Sequence, residues 1–227
     1  MTETLADYAP FHAAAHALVE REPAFAPVYQ AHGFPRWPLR PAGFSSLVRI
    51  IIEQQISFYA AQALWQRAHG VLGDITPQAV AAADEETMKA AGFSHQKAGY
   101  AKRLAAATLA GELDATALAG ADTQTITATL TRYKGLGPWS VDIFRLYCAR
   151  HTDVWAVGDL AVRAGYSRIM GLAKRPDPAA CRDAGAAFAA HASAATILCW
   201  QAVIHRFAAP EARQSRDAPA IGTIHGS

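Results

Sequence analysis

This sequence predicts an all-α fold, on three observations. Apolar residues recur at intervals of three and four along most of the chain, the spacing that lines one face of a helix. Helix-start pairs are frequent, and Thr76-Pro77 and Asp177-Pro178 each set a capping side chain before a proline suited to a first turn. Glycines such as Gly73, Gly92 and Gly111 stand where the apolar runs stop, and no convincing strand run occurs. At 227 residues with 52% hydrophobic content, the chain can hold one domain or two small lobes sharing a core.

Residues 4 to 33 hold Phe11, Ala15, Leu18 and Val19 at helical spacing before Pro23 and Pro27 interrupt, which reads as one helix and a tail. Three prolines and two glycines between Gly33 and Gly43 mark a connector, packed by Trp37. From Phe44 an apolar face through Leu47, Ile50 and Ile51 continues to Ile56, with Ser45 or Ser46 as cap and Glu53-Gln54-Gln55 as its polar interruption. Further helices are expected at about Tyr59 to Val71, from Thr76-Pro77, from Asp84 to Gly92, from His95 to Gly111 and from Asp122 to Tyr133. Beyond residue 150, Asp177-Pro178 opens an alanine-rich helix to about Ala190, and Ser193 caps a last one from Ala194 to Phe207. Residues 211–227 are polar and lack periodicity, so a loose tail is expected there.

Composition excludes several classes. No segment reaches the ~18 consecutive apolar residues of a membrane span. The start, Met1-Thr-Glu-Thr-Leu-Ala-Asp, lacks the basic and apolar stretches of a secretory signal, so a cytoplasmic location is the expectation. Cys148, Cys181 and Cys199 are scattered and suit a reducing compartment better than a disulfide framework. His12 and His16 would share a helix face but lack a third ligand, so no metal is expected. A net charge of +2 is too mild to identify a nucleic-acid partner by itself.

The stretch Leu130-Thr-Arg-Tyr-Lys-Gly-Leu-Gly-Pro-Trp-Ser-Val-Asp-Ile-Phe144 reads as helix, tight glycine turn and second helix. Gly135 and Gly137 bracket Leu136, and Pro138 suits the first turn of the new helix. Such a turn aims the partly positive end of a helix and its main-chain N–H groups outward, where they can bind an anion, most naturally a phosphate. Taken alone, Gly-Leu-Gly also serves as an ordinary helix connection. Asp159 follows Gly137 by 22 residues and precedes Leu-Ala-Val-Arg-Ala, where an aspartate makes a good N-cap.

Hairpin and aspartate together resemble the helix-hairpin-helix DNA glycosylase superfamily, and more narrowly its 3-methyladenine DNA glycosylase II branch. Pro138-Trp139-Ser140 and Gly158-Asp159-Leu160-Ala161 carry that resemblance, which covers roughly residues 44 to 205. It implies two helical lobes with the active cleft between them: residues 44–149 holding the hairpin, and residues 150–210 holding Asp159 with residues 1–43 packed on it. It further implies a cofactor-free enzyme, a monomer, acting on double-stranded DNA containing damaged bases and releasing alkylated purines. The alternatives are a non-catalytic DNA-binding module, or a glycosylase for deaminated or oxidised bases.

The resemblance also implies residue roles. Asp159 would stabilise the charge that develops on the sugar as the base departs, and could orient the attacking water. Lys134, Gly135, Leu136 and Gly137 would hold the DNA backbone, and Gln55 would enter the space vacated by the flipped base. Trp139 would wall the base pocket by stacking on a positively charged purine, with Phe58, Tyr59 and His191 as further pocket candidates. Read without the family, Trp139 is a core residue and Gln54-Gln55 a polar turn. Bifunctional relatives carry a nucleophilic lysine where this chain has Trp139, and an indole cannot form a Schiff base, which implies a monofunctional enzyme. The chain departs from the pattern at Ala192, where relatives often have arginine, and at Ala156-Val157, where they often have proline. It also lacks the four clustered cysteines with which some relatives bind an iron–sulfur cluster.

Overall fold

The structure, a computed structural model, describes residues 3–207, so the expected tail at 211–227 lies outside the described residues. These residues form two compact units. One, the hairpin unit, is Pro38–Ala156 with Glu3; the other, the aspartate unit, is Thr4–Trp37 with the chain from Val157 onward. Both are helical, and no strand forms among the described residues.

The aspartate unit begins with α1 (Ala9–Arg21) and α2 (Ala26–His32). The tail expected after the first helix is thus a second one. Pro27 sits in the first turn of α2, where its missing N–H breaks no helical hydrogen bond.

Eight helices then build the hairpin unit. They are α3 (Phe44–Glu53), α4 (Phe58–Leu72), α5 (Pro77–Ala82), α6 (Glu85–Ala90), α7 (His95–Leu109), α8 (Ala115–Leu118), α9 (Thr123–Leu130) and α10 (Pro138–Tyr147). Six of them start at a side-chain cap: Ser57, Thr76, Asp84, Ser94, Asp114 and Asp122 each accept a first-turn N–H. At the centre is α3, which buries Leu47, Val48, Ile50, Ile51 and Ile52 and is packed against by α4, α7, α8 and α10. It starts at Gly43 without a side-chain cap, because the Ser46 hydroxyl donates instead to the Pro41 carbonyl (2.7 Å). It also stops at Glu53 rather than running on to Ile56: Gln54 is extended (ψ 131°) and Gln55 turns left-handed (φ +58°).

The unit boundaries lie at 37/38 and 156/157, where 43/44 and 149/150 were expected. Arg40 explains the first shift. Its guanidinium grips Glu53 at the end of α3 through two hydrogen bonds (2.8 and 2.7 Å), its backbone N–H donates to the Tyr147 carbonyl (3.0 Å), and it lies 4.4 Å above the Tyr147 ring. Arg145 accounts for the second, since it bonds Asp153 at 2.7 Å and holds the segment after α10 on that helix.

The aspartate unit resumes with α11 (Leu160–Ile169), α12 (Pro178–Gly185), a 3-10 turn (Ala186–His191) and α13 (Ala192–Ile204). Everything from Ala192 to Ala202 is buried, as an all-round apolar helix requires, and α1 and α11 pack against it. Ser193 is therefore not a cap. It lies wholly buried inside α13, whose N-cap position is held by His191. By length and composition Pro178–Ile204 could cross a membrane, but most of its apolar window is buried, and non-helical Phe188 (φ −131°, ψ 26°) breaks it. Phe188 instead joins Phe25 in the core, ring centroids 5.7 Å apart.

One glycine fixes the approach of α11 to α13: a Cβ at Gly165 would lie 2.0 Å from the Cys199 carbonyl oxygen. Gly165→Ala is expected to destabilise the protein by about 1–3 kcal/mol through overpacking. In α4, a Cβ at Gly70 meets nothing within 4 Å, and Gly70→Ala should instead stabilise by roughly 0.5–1 kcal/mol. Denaturant titration of the two variants checks both signs, and equal shifts would contradict the packing described.

Candidate functional site

In the hairpin unit, α9 ends at Leu130 and the chain reaches α10 through a turn whose hydrophobic peg is Leu136, 2% exposed. Its N–H donates back to the Tyr133 carbonyl (3.0 Å), so Leu136 anchors the turn and does not offer that donor to a ligand. The two glycines that flank it differ in purpose. Gly135 takes φ +105°, and a Cβ there would sit 2.4 Å from the Tyr100 ring on α7. Gly137 has an ordinary φ of −89°, is exposed, and an added Cβ would meet nothing within 4 Å. Gly135 is needed by the fold, whereas at Gly137 the missing side chain leaves room on the outside, at the N-cap of α10, where helix dipole and main-chain N–H groups favour an anion. Lys134 is exposed beside it.

The turn is held by a residue that sequence reasoning treated only as polar. Gln54 donates its amide to the Gly135 carbonyl (2.6 Å) and to the Ser140 hydroxyl (3.0 Å). Its orientation is forced, since a flipped amide would put oxygen against the carbonyl. The only hint in the sequence was its neighbour Gln55. That residue is exposed, and its φ of +58° is rare for a residue with a side chain. Ile56, Phe58 and Tyr59 follow it at 36%, 45% and 80% exposure, a cluster of large apolar groups left in solvent. The Phe58 and Tyr59 rings meet edge to face at 5.8 Å. Trp139 is half-buried in the first turn of α10.

In the aspartate unit, Asp159 is the N-cap of α11. Its Oδ1 accepts the Ala161 N–H (2.7 Å) and the Val162 N–H (3.2 Å), which fixes the carboxylate at a helix N-terminus while leaving it part-exposed. Val154, Ala156 and Val157 are buried and anchor the segment before it, without the proline common in relatives. His191 is half-buried at the start of α13. The sequence-predicted residues thus divide into Gln55, Phe58, Tyr59, Lys134 to Gly137 and Trp139 in the hairpin unit, and Asp159 and His191 in the aspartate unit.

Among the described residues no group of three His, Cys, Asp or Glu side chains could hold a metal ion. His12 is occupied by the Tyr29 hydroxyl (3.0 Å) and the Ala6 carbonyl (2.9 Å). All three cysteines are buried; burial pushes Cys148 and Cys181 up to about 11 and Cys199 well above its usual value, helped there by Cys181 and Asp159. None is a thiolate nucleophile at neutral pH.

A glycine-flanked hairpin followed by a capped carboxylate on an all-α frame defines a class, and comparison with known proteins gives it a name. The family model described as HhH-GPD superfamily base excision DNA repair protein matches residues 48–188, and the chain belongs to that superfamily. Among curated proteins it is similar to DNA-3-methyladenine glycosylase 1 of Schizosaccharomyces pombe, 30% identical over 137 residues, which is 59% of this chain and 60% of that one. The chain spans about 60% of the length of the curated relatives it matches. Among solved structures it is similar to the S. pombe 3-methyladenine DNA glycosylase in complex with abasic DNA, with a TM-score of 0.77, 25% identity, and coverage of 83% of this chain and 95% of that one. It is also similar to a DNA-3-methyladenine glycosidase from Bacillus halodurans, with a TM-score of 0.72, 26% identity, and coverage of 94% and 99%.

The two hairpin glycines give a test. Gly135→Ala should cost about 1–3 kcal/mol of stability, from backbone strain and the Tyr100 ring. Gly137→Ala should leave the unfolding midpoint near that of the wild type and act only on what binds outside. Thermal melts of both variants, beside a duplex-binding assay on Gly137→Ala, separate the two effects.

Proposed function

We propose that this protein is a monofunctional base-excision DNA glycosylase that hydrolyses the N-glycosidic bond of alkylated purines of the 3-methyladenine type and leaves an abasic site. The observation that carries this reading is the Asp159 carboxylate, fixed by two main-chain N–H groups at the head of α11, 22 residues beyond the hairpin. As the base leaves, the sugar becomes oxocarbenium-like, and a fixed negative charge beside it lowers the barrier without having to reorganise. At about 4 Å and an effective dielectric near 20, such a pair is worth roughly 4 kcal/mol, on the order of a thousandfold in rate. The same carboxylate can orient the attacking water.

In this reading the exposed end of α10 grips a phosphate through main-chain N–H groups of the hairpin, assisted by Lys134. Gln55 fills the gap in the duplex, and Trp139 stacks on the flipped, positively charged base. Phe58 and Tyr59, both on the surface beside Gln55, fit contact with the opened duplex at least as well as a role in the pocket wall. The alternative, a binding module in which Asp159 is only a cap, draws on the same two hydrogen bonds. Asparagine caps a helix about as well as aspartate, so Asp159→Asn should retain stability and damaged-duplex binding while losing excision by about a thousandfold. Base release near the wild-type rate from that variant would sink the catalytic assignment.

The end point of the reaction separates this enzyme from lyases of its superfamily. With Trp139 in place of a Schiff-base lysine, the product should be an intact strand with an abasic site, cut only by hot alkali, and borohydride should not trap protein on DNA. Trapping that disappears in Lys134→Ala would move the nucleophile to the other side of the turn and overturn the monofunctional reading.

A further inference from the structure

Two contacts from α7 converge on the region that Gln54 bridges. The Lys97 ammonium, on the first turn of α7 after the Ser94 cap, donates to the Ile52 carbonyl and to the Gln54 carbonyl, both at 2.8 Å. One turn further along, the Tyr100 ring occupies the space that a side chain at Gly135 would need. Gln54 closes the circuit by donating to the Gly135 carbonyl and the Ser140 hydroxyl. From α7 to the end of α3, from there to the hairpin, and from the hairpin back to α7, every link is a direct contact within the hairpin unit.

The Lys97 ammonium is well chosen for this place. The last carbonyls of a helix lack intrahelical donors and carry the negative end of its dipole, so a cation with three donors satisfies two of them and the field together. Partial burial holds its pKa below the ordinary lysine value. The residue that follows the two bonded carbonyls is Gln55, held left-handed and exposed. A backbone in that conformation persists only when its surroundings fix it.

We infer that Lys97 is a positioning residue for duplex opening: through the Gln54 backbone it locks the strained Gln55 turn to the phosphate-binding hairpin, so that the wedge enters at a fixed distance from the gripped strand. This rests on the glycosylase reading above. Lys97 itself touches no substrate in this account.

The test uses the full chain and a duplex carrying an alkylated purine with 2-aminopurine as its neighbour, whose fluorescence rises when the stack opens. Measurements at saturating protein are made in the Asp159→Asn background. Gln55→Ala and Lys97→Met are each expected to lower the equilibrium for opening by about tenfold, the scale of one charge-assisted hydrogen bond. Combined, they should still give about tenfold, because both act through one element. Lys97→Arg, which keeps charge and donors, should restore most of the signal. Losses that multiply in the double variant, or a wild-type signal from Lys97→Met, would overturn the inference. If Lys97→Met does not fold, the same cycle is read with Lys97→Gln, with the same expected and overturning results. Failure of the glycosylase reading would show separately, as no base release by the unmodified protein from the same duplex.

Discussion

The hydrogen bond from the Gln54 amide to the Gly135 carbonyl joins residues 81 positions apart, and much of the hairpin unit is arranged to make it possible. For the amide to reach, α3 must end at Glu53, and it does so because the chain turns extended and then left-handed at the next two residues. Glu53 itself is paired with Arg40 and Arg49, at 2.7 and 3.1 Å, so its carboxylate does not stand alone at the end of α3. A lone carboxylate there would repel the helix C-terminal carbonyls; a paired one does not. The hairpin in turn needs Gly135, since any side chain would strike the Tyr100 ring. The outward placement of Gly137 is a consequence of these constraints and not a local property of the tripeptide.

The aspartate unit solves a different problem, holding a carboxylate still without burying it. Its answer is to pack α11 tightly against α13. α11 lies so close to α13 that Gly165 has no room for a methyl group against the Cys199 backbone, and α13 is encased on every side. Main-chain hydrogen bonds from Ala161 and Val162 then hold Asp159 at the end of this packed helix. A fixed anion of this kind is what the proposed excision requires, because stabilisation of developing charge depends on dipoles and charges that do not have to move.

Several parts of this arrangement were legible in the order of residues. Capping is local chemistry within three residues, so Thr76, Asp84, Asp122, Asp159 and Asp177 mark helix starts in the sequence and hold them in the structure. Ser46 and Ser193 had the right spacing to cap, but one hydroxyl turned to the Pro41 carbonyl and the other residue was swallowed by a buried helix. Tertiary packing, not propensity, decided both. The helix at Ala26–His32 is hidden in the sequence by Pro27, because proline interrupts a helix interior but at a first turn starts one.

By itself, the sequence determined the all-α class, the hairpin with its two glycines, the carboxylate 22 residues later and the tryptophan two residues past the second glycine. Each of these depends on residues close together in the chain or on a motif of fixed spacing. Only the tertiary structure decided that Gly135 serves the fold while Gly137 faces outward, that Gln54 rather than Gln55 holds the hairpin, and that Lys97 and Tyr100 brace it from α7. Those assignments rest on contacts between residues tens of positions apart. No periodicity records such contacts, because they are fixed by which helix faces meet once the core around α3 has closed.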